Sequence, residues 1–263
     1  MNLAGRVCVV TGAAGGIGLA LARRFADEGA AGVVLCDLDP QRVEDAAATL
    51  APGTGIAVAG DVGEAATHRR LVEVAEASYG PVDLYCSNAG IGGANVEDDV
   101  EAWDAIWRVN TLAHVLAAKA VLPSMLERGE GHLLQTASAA GLLINLGDAA
   151  YTATKHAAVG LAEWLQATYA HRGIRVSCLC PMGVDTDMLR RASAGASGAV
   201  VTGAGGVLQP DDVAAAVVAA LAEERFLVLP HPEVHDFLTG KVADPDRWLA
   251  GMNRVQQKLE GLR

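Results

Sequence analysis

The sequence predicts a three-layer α/β fold, with helices on both faces of a doubly wound parallel sheet of about seven strands. Short β-branched runs alternate with longer segments of helical spacing, and strands separated by helices pair in parallel through right-handed crossovers. The strand runs are apolar throughout rather than alternating, which is typical of strands buried on both faces. We expect the 263 residues to form one domain, over residues 1–263, because α/β folds of this length often do.

Seven runs are predicted to be strands, at residues 6–10, 32–36, 56–59, 82–87, 132–137, 174–180 and 225–229. Long helices are predicted at residues 16–28, 64–79, 100–126 and 150–171. A helical tail is expected over residues 244–263, where it either covers the domain or meets another subunit. The Gly-rich stretch at residues 188–208 predicts a mobile loop over the site; a disordered insertion without function is the alternative.

Charge and composition exclude several functions. Lys and Arg total 20 against 31 Asp and Glu, so a net charge of −11 makes the chain a poor partner for nucleic acid or anionic lipid. The longest uncharged stretches, residues 131–147 and 192–210, are interrupted by polar residues or glycine, so no membrane span is expected. The N-terminus lacks a signal-peptide pattern, which favours the cytoplasm. Five Cys without a CxxC spacing argue against a disulfide framework or a zinc site.

A glycine-rich turn, TGAAGGIG, follows the first predicted strand and leads into an amphipathic helix. Its glycines are Gly12, Gly16 and Gly18, with the spacing GxxxGxG rather than the commoner GxGxxG. Glycines allow close backbone approach, and a helix start offers free N–H groups and the positive end of a dipole to a pyrophosphate. The turn therefore predicts a nucleotide site.

Asp37 ends the second predicted strand, nineteen residues beyond Gly18. A carboxylate there can accept both ribose hydroxyls of an adenosine. It would also repel a 2′-phosphate, by up to about 4 kcal/mol at 4 Å with an effective dielectric near 20. NAD is therefore favoured over NADP. Arg42, the nearby cation, is expected to be an exposed helix charge that pairs with Asp45 or Asp39.

Polar residues also follow the third and fourth predicted strands. Asp61 follows the third, and the SNAG segment, with Asn88, Ala89 and Gly90, follows the fourth. Taken singly, such residues are more often helix caps or turn residues. Because the carboxyl ends of parallel strands share one edge of a sheet, these residues and the glycine-rich turn together outline a cofactor cleft.

Four further polar residues have complementary chemical roles. Tyr151 and Lys155, in AAYTATKHAA, share one face of a predicted helix, so both side chains can point into one site. Ser138 stands thirteen residues before Tyr151, just past the fifth strand, and Asn110 lies mid-helix in WRVNTLAHVL.

With these motifs in order, the chain resembles the short-chain dehydrogenase/reductase family over roughly residues 4–230. The matching segments are TGAAGGIG, DV at 61–62, SNAG, Asn110, Ser138, YTATK at 151–155 and CPMGVDTDM at 180–188. The resemblance implies a Rossmann fold and hydride transfer between a nicotinamide and an alcohol/carbonyl pair, with the tetrad Asn110, Ser138, Tyr151 and Lys155. It also implies that NAD is bound by Gly12, Gly16, Ile17, Gly18, Asp37, Asp61, Val62, Asn88, Ala89, Gly90, Tyr151, Lys155, Pro181, Val184 and Thr186.

Within this resemblance, Tyr151 is the general acid/base. A Tyr with an ordinary pKa near 10 needs about 3–4 kcal/mol of preferential stabilisation of its phenolate to act at neutral pH. The positive charges of Lys155 and of a nicotinamide can supply this together. The family further implies that Lys155 bonds the nicotinamide ribose, Ser138 holds the substrate oxygen and Asn110 fixes a water in the proton path. For Asn110, a polar residue that bonds helix backbone is the alternative.

Two positions of the chain depart from the family's usual pattern. SNAG has Ser87 where the family usually has Asn, and Met182 occupies a position often taken by glycine, which leaves the pocket shape beside the nicotinamide open. HPEVH, at residues 231–235, places two His at helical spacing, but its acid is in the wrong place for the HExxH metal motif. No metal site is expected.

The residues that would face a substrate are apolar: Leu143, Ile144, Leu146, Met182, Met188 and Leu189. They favour an NAD-dependent dehydrogenase of a lipophilic secondary alcohol or ketone. One alternative is a 3-oxoacyl-thioester reductase, in which Arg190 and Arg191 meet a phosphate of an ACP or CoA arm; another is a nucleotide-binding regulator without catalysis. Because the family packs helices like those at 100–127 and 150–172 between subunits, a homotetramer or homodimer is expected.

Overall fold

A parallel sheet forms the centre of the computed structural model, which describes residues 1–192 and 206–261. The strands are β1 (Val7–Thr11), β2 (Gly32–Asp37), β3 (Gly55–Ala59), β4 (Leu84–Ser87), β5 (Gly131–Thr136), β6 (Ile174–Leu179) and β7 (Leu227–Val228). They lie in the order β3-β2-β1-β4-β5-β6-β7, and every neighbouring pair is parallel. The chain winds outward from β1 to one side and then to the other, which confirms the predicted doubly wound fold.

Helices cover both faces of this sheet. They are α1 (Gly16–Asp27), α2 (Pro40–Ala47), α3 (Ala65–Ser78), α4 (Val100–Trp107), α5 (Ala113–Arg128), α6 (Ala149–Tyr169), α7 (Asp187–Ala192), α8 (Pro210–Ala222), α9 (Glu233–Ala243) and α10 (Pro245–Leu259). A π-helical segment, Arg108–Leu112, joins α4 to α5, and 3₁₀ turns lie at Ala139–Gly141 and Ala170–Arg172.

Two predicted elements differ from those observed. Strand β7 has two residues, Leu227 and Val228, where the sequence predicts a strand at 225–229, because the chain pairs with β6 at these two residues only. The predicted helix at 100–126 is interrupted by the π-helical segment around Asn110. Such single-turn π segments are frequent at functional sites.

Strand side chains alternate between two hydrophobic cores. Val9 points into one core, where Ala117 of α5 packs. Val10 points into the other, with Leu21 of α1 and Val217 of α8. Because both faces of each strand are buried, the strands are apolar throughout rather than alternating with polar residues.

The carboxyl edge of the sheet collects the polar residues singled out from the sequence. Gly12 follows β1, Asp37 ends β2, Asp61 follows β3, Asn88 follows β4 and Ser138 follows β5. The connections from the neighbours β1 and β4 run in opposite directions, and a crevice opens at such a switch point. The topology therefore brings these residues to one cleft.

In the part of the chain that the structure describes, one helical run is long and apolar enough to cross a bilayer. It is Val100–Arg128, with 29 residues and a mean hydropathy of 1.3, and half of its apolar window is buried inside the fold. Its α5 portion packs against α3, β4 and β5, as a core helix does. Of the two uncharged stretches considered from the sequence, the one at 131–147 contains β5.

The structure describes the predicted loop and tail in part. Residues 188–192 of the loop belong to α7, 193–205 lie outside the described residues, and Leu208 forms an isolated bridge with Val184. In the tail, the Asp244 carboxylate caps α10 by accepting a hydrogen bond from the Arg247 amide at 3.0 Å. Residues 262–263 lie outside the described residues.

Candidate active site

The glycine-rich turn brings the start of α1 close to the ends of β1 and β4. Gly12 and Gly16 have φ of +64° and +53°, which other residues rarely adopt. A Cβ at Gly18 would lie 2.1 Å from the Gly12 carbonyl oxygen and 2.7 Å from Asn88 Nδ2, so only glycine fits there. No side chain caps the helix at Gly15, and the first N–H groups of α1 are available to a pyrophosphate.

Asp37 is anchored to this turn. Its Oδ2 accepts a hydrogen bond from the Ala14 amide at 3.0 Å, and its Oδ1 accepts one from the Leu38 amide at 2.8 Å. The carboxylate therefore has a fixed position on the cleft wall, where it can still accept from ribose hydroxyls through its remaining lone pairs.

The expected partners of Arg42 were wrong. Its guanidinium pairs with Asp187, at 3.2 Å, and both residues line the cleft. Asp39 caps α2 instead, accepting from the Arg42 backbone amide at 3.1 Å, and Asp45 accepts from Gln41 at 2.9 Å. The sequence separation of 145 residues explains the error, because no local pattern links α2 to α7.

Thr11 is a site residue that the sequence reasoning missed. Its hydroxyl accepts hydrogen bonds from the Asn88 and Ala89 amides, at 3.0 and 3.2 Å. The Asn88 side chain in turn donates to the Thr11 carbonyl at 3.0 Å. These bonds hold the segment after β4 against the glycine-rich turn. The available signal was the Thr that ends the VCVVT strand.

Asn110 lies in the π-helical segment and is fully buried. Its Oδ1 accepts from the Ile91 amide at 2.9 Å, and its Nδ2 donates to the Ile91 carbonyl at 2.8 Å and to the Thr154 hydroxyl at 3.1 Å. The side chain therefore ties the segment after β4 to α6. The backbone that it bonds is that of Ile91, outside its own helix.

Ser138, Tyr151 and Lys155 come together from the end of β5 and from α6. The Ser138 hydroxyl accepts from the Ala140 amide at 3.1 Å and donates to the Pro181 carbonyl at 3.4 Å. Lys155 is 2% exposed; its Nζ donates to the Thr136 carbonyl at 2.8 Å and lies 5.5 Å from the centre of the Tyr151 ring. All three side chains line the cleft.

Burial shifts the two titrating groups in opposite directions. It raises the pKa of Tyr151 to about 12, with the hydrogen bond to Ser138 opposing the rise and the charge of Asp148 adding to it. It lowers the pKa of Lys155 to about 8. Because burial disfavours the phenolate, the lowering of the Tyr151 pKa that alcohol oxidation needs is larger than the lowering expected from an ordinary tyrosine pKa near 10.

Asp148 is a second residue that the sequence reasoning missed. It is buried at the start of α6, where its Oδ1 accepts from the Tyr151 amide at 3.0 Å and its Oδ2 from the Gly93 amide at 2.7 Å. It therefore fixes the first turn of α6 and the segment after β4 together. An Asp three residues before Tyr151 is a helix-cap signal.

The cleft has a volume of about 1480 Å³ and joins the cofactor residues to apolar walls. Of the predicted cofactor residues, all but the packed Gly18 line it. Of the predicted substrate-facing residues, Leu146 alone does not. The sequence missed a further wall, contributed by α9 and α10: Phe237, Trp248, Met252, Val255 and Leu259. Their helical spacing was visible, but not the surface that they cover.

The two His residues of HPEVH have different environments. His231 is buried; its Nδ1 accepts from the Met182 amide at 3.2 Å and its Nε2 lies 3.1 Å from the carbonyl oxygens of Gly183 and Gly206. His235 is exposed on α9. His231 therefore holds both ends of the segment that follows β6.

The family is shown by comparison with known proteins. A family model described as short chain dehydrogenase matches residues 6–197. The chain belongs to the short-chain dehydrogenase/reductase family. The expected family and enzyme class are confirmed: the chain is an NAD(P)-dependent oxidoreductase acting on alcohols.

Relatives match nearly the whole chain. It is 40% identical over 242 residues to 1-deoxy-11-beta-hydroxypentalenate dehydrogenase of Streptomyces exfoliatus, covering 89% of this chain and 86% of that protein. It is 36% identical to 2-(S)-hydroxypropyl-CoM dehydrogenase 3 of Xanthobacter autotrophicus, with coverage of 86% and 93%. A short-chain dehydrogenase/reductase from Burkholderia phymatum, solved in complex with NAD, has a TM-score of 0.84 at 31% identity and coverage of 94% and 96%.

Replacing Lys155 by Met is expected to stabilise the fold while removing activity. The lowering of the Lys155 pKa from 10.5 to about 8 corresponds to about 3 kcal/mol against folding. Between these pH values the unfolded chain holds the extra proton, so stability rises with pH; the cost is complete below pH 8 and absent above 10.5. Lys155→Met also loses the hydrogen bond to the Thr136 carbonyl. Its free energy of unfolding at pH 7 should therefore exceed that of the parent by about 2 kcal/mol.

Denaturant unfolding at pH 7 and pH 10 measures this difference. Lys119→Met, which removes an exposed lysine of α5, is the control and should change stability little at either pH. A Lys155→Met variant less stable than the parent at pH 7 would contradict the account.

Proposed function

We propose that the chain is an NAD-dependent dehydrogenase that interconverts a lipophilic secondary alcohol and its ketone, with Tyr151 as general acid/base. The observation that carries the proposal is that Tyr151 and Lys155 line one cleft together with the glycine-rich turn and the apolar residues of α7, α9 and α10. The names of two relatives, a hydroxypentalenate dehydrogenase and a hydroxypropyl-CoM dehydrogenase, support a hydroxyl group as the reacting centre.

The chemistry that NAD⁺ would supply when bound is a hydride acceptor for the alcohol carbon. The residues of the chain handle the proton. Tyr151, as phenolate, takes the proton of the substrate hydroxyl, and the carbonyl forms as the C–H bond breaks. Lys155 stabilises that phenolate by its charge, and the Ser138 hydroxyl stabilises the negative charge developing on the substrate oxygen.

The remaining roles follow the same proposal. Lys155 bonds the nicotinamide ribose, and Asn110 positions a water in the proton path through its contact with α6. The glycine-rich turn binds the pyrophosphate, with Gly12, Gly16, Ile17 and Gly18. The adenosine end of NAD is bound by Asp37, Asp61 and Val62. The nicotinamide end is bound by Asn88, Ala89, Gly90, Pro181, Val184 and Thr186. Their common place on or behind the cleft wall supports these assignments.

The thioester alternative loses one of its supports. It needs Arg190 and Arg191 to act as a pair on a phosphate, but Arg190 is bonded to the carboxylates of both Asp185 and Asp187. The apolar walls from α7, α9 and α10 favour a lipophilic substrate instead.

A cytoplasmic homodimer or homotetramer completes the proposal. Five buried free thiols fit a reducing compartment. Large apolar side chains are exposed on the helices expected at a subunit interface: Trp107, Leu112 and, at 56%, Trp164. Light scattering at micromolar concentration should give two or four times the mass of one chain; the mass of a single chain would reject the assembly.

Tyr151→Phe is expected to lower kcat for alcohol oxidation by about 10²–10⁴-fold, because the ring remains but the proton acceptor is gone. NADH formation measures the rate, and circular dichroism checks the fold. Tyr169→Phe, in the last turn of the same helix, is the control and should keep full activity. A folded Tyr151→Phe enzyme with near parental turnover would sink the mechanism.

Asp37 should make NAD⁺ the better cofactor by about 100-fold in kcat/KM, which is the repulsion of a 2′-phosphate reduced by solvent screening. Arg42 cannot easily compensate, since it is paired with Asp187. Asp37→Ser should lower the ratio of kcat/KM with NAD⁺ to kcat/KM with NADP⁺ by about tenfold or more. The control, Asp39→Ser, removes the same charge from α2 while keeping a residue that can cap it. A parent enzyme with the higher kcat/KM for NADP⁺ would refute the preference.

A further inference from the structure

The charged side chains along the cleft wall have partners, with one exception. Six of them are bonded: Asp37, Arg42, Asp61, Asp148, Lys155 and Asp187. Arg191 also lines the cleft, yet its guanidinium has no partner among residues 1–192 and 206–261. Its free charge is therefore available to a ligand of the cleft.

The acids nearest in sequence are already used. Asp185 and Asp187 are both bonded to Arg190, and Asp187 also to Arg42. Around α7 three guanidinium groups thus face two carboxylates, and the unmatched positive charge is that of Arg191. Arg191 is therefore a local positive charge in a chain whose net charge is −11.

Arg191 is exposed, and most of the other residues on its helix and on α10 that line the cleft are apolar. Met188 and Leu189 precede it on α7, and Trp248, Met252 and Val255 of α10 line the same cleft. A neutral lipophilic substrate would leave Arg191 to water. One guanidinium matches one planar carboxylate through two parallel hydrogen bonds. A phosphate dianion would call for more positive charge than the single free Arg191 provides.

We propose that Arg191 binds a carboxylate carried by the substrate, so that the substrate class is a lipophilic hydroxy acid with its secondary hydroxyl remote from the acid group. The hydroxyl lies at Tyr151, the apolar body lies against the walls from α7 and α10, and the carboxylate lies at Arg191. This assignment rests on the proposed function and narrows it to an anionic substrate.

The test compares hydroxy acids with their methyl esters. The probes are 5-hydroxyhexanoate, 7-hydroxyoctanoate and 9-hydroxydecanoate, each beside its methyl ester, with NAD⁺ as cofactor. In the parent enzyme, the acid of at least one chain length should have a kcat/KM about tenfold above that of its ester. Arg191→Met should bring this ratio near one by lowering the rate with the acid, and Arg191→Lys should retain part of it because the charge remains.

Arg254→Met is the matched control. It removes the same charge from an exposed position of α10 that does not line the cleft, so the acid-to-ester ratio should stay at the parental value. Equal ratios in the parent and in Arg191→Met at every chain length overturn the proposal, while turnover of the esters leaves the dehydrogenase function standing.

A binding measurement separates the two hypotheses further. Calorimetry with decanoate and 1-decanol, on the enzyme saturated with NADH, should show decanoate binding that Arg191→Met weakens about tenfold and decanol binding that it leaves unchanged. Arg191-dependent decanoate binding without oxidation of any of the hydroxy acids or esters would support the anion site and contradict the proposed oxidation of lipophilic secondary alcohols. Decanoate binding that is independent of Arg191 would overturn the anion site.

Discussion

The hydrogen bond from Lys155 to the Thr136 carbonyl joins α6 to the last residue of β5, and the rest of the site is arranged around it. The 3₁₀ turn that follows β5 packs closely on the same helix, where a Cβ at Gly141 would lie 2.5 Å from the Lys155 carbonyl oxygen. Ser138 begins that turn, so its distance from α6 is set by the same packing. The groups proposed as catalytic are thus positioned by the contact of one strand end with one helix.

A second set of contacts fixes the other side of α6. Asn110 bonds both Ile91 and Thr154, and Asp148 bonds both Gly93 and the first turn of α6. Each of these side chains therefore connects the segment after β4 to the helix that carries Tyr151. Because that segment begins with the expected cofactor residues, a ligand bound there contacts backbone that is already tied to the catalytic helix.

The fold and the cofactor side of the cleft could be predicted from the sequence, because they follow from local patterns. Apolar runs give the strands, and the parallel order sends every strand end to one edge, which is why Asp37 and Asn88 could be placed. The pairing of Arg42 with Asp187 and the wall from α10 could not be predicted, since both depend on tertiary packing between distant segments.

Thr11 and Asp148 had weak local signals, a strand-end Thr and a helix-cap Asp, which are common in any protein. The π-helical turn at Asn110 differs from an α-helix by hydrogen bonding alone and has no apolar period of its own.

The cleft carries a negative charge on one of its walls and a positive charge on another. The carboxylate of Asp37 lies at the end of β2, and the guanidinium of Arg191, which has no partner among the described residues, lies on α7. The paired Arg42 and Asp187, which also line the cleft, link α2 to α7 without adding net charge. A ligand that carries extra negative charge is thus disfavoured at one end and favoured at the other. Under the proposed function, Asp37 disfavours a phosphate on the adenosine ribose and Arg191 favours an anionic substrate, so the two charges act on separate ligands.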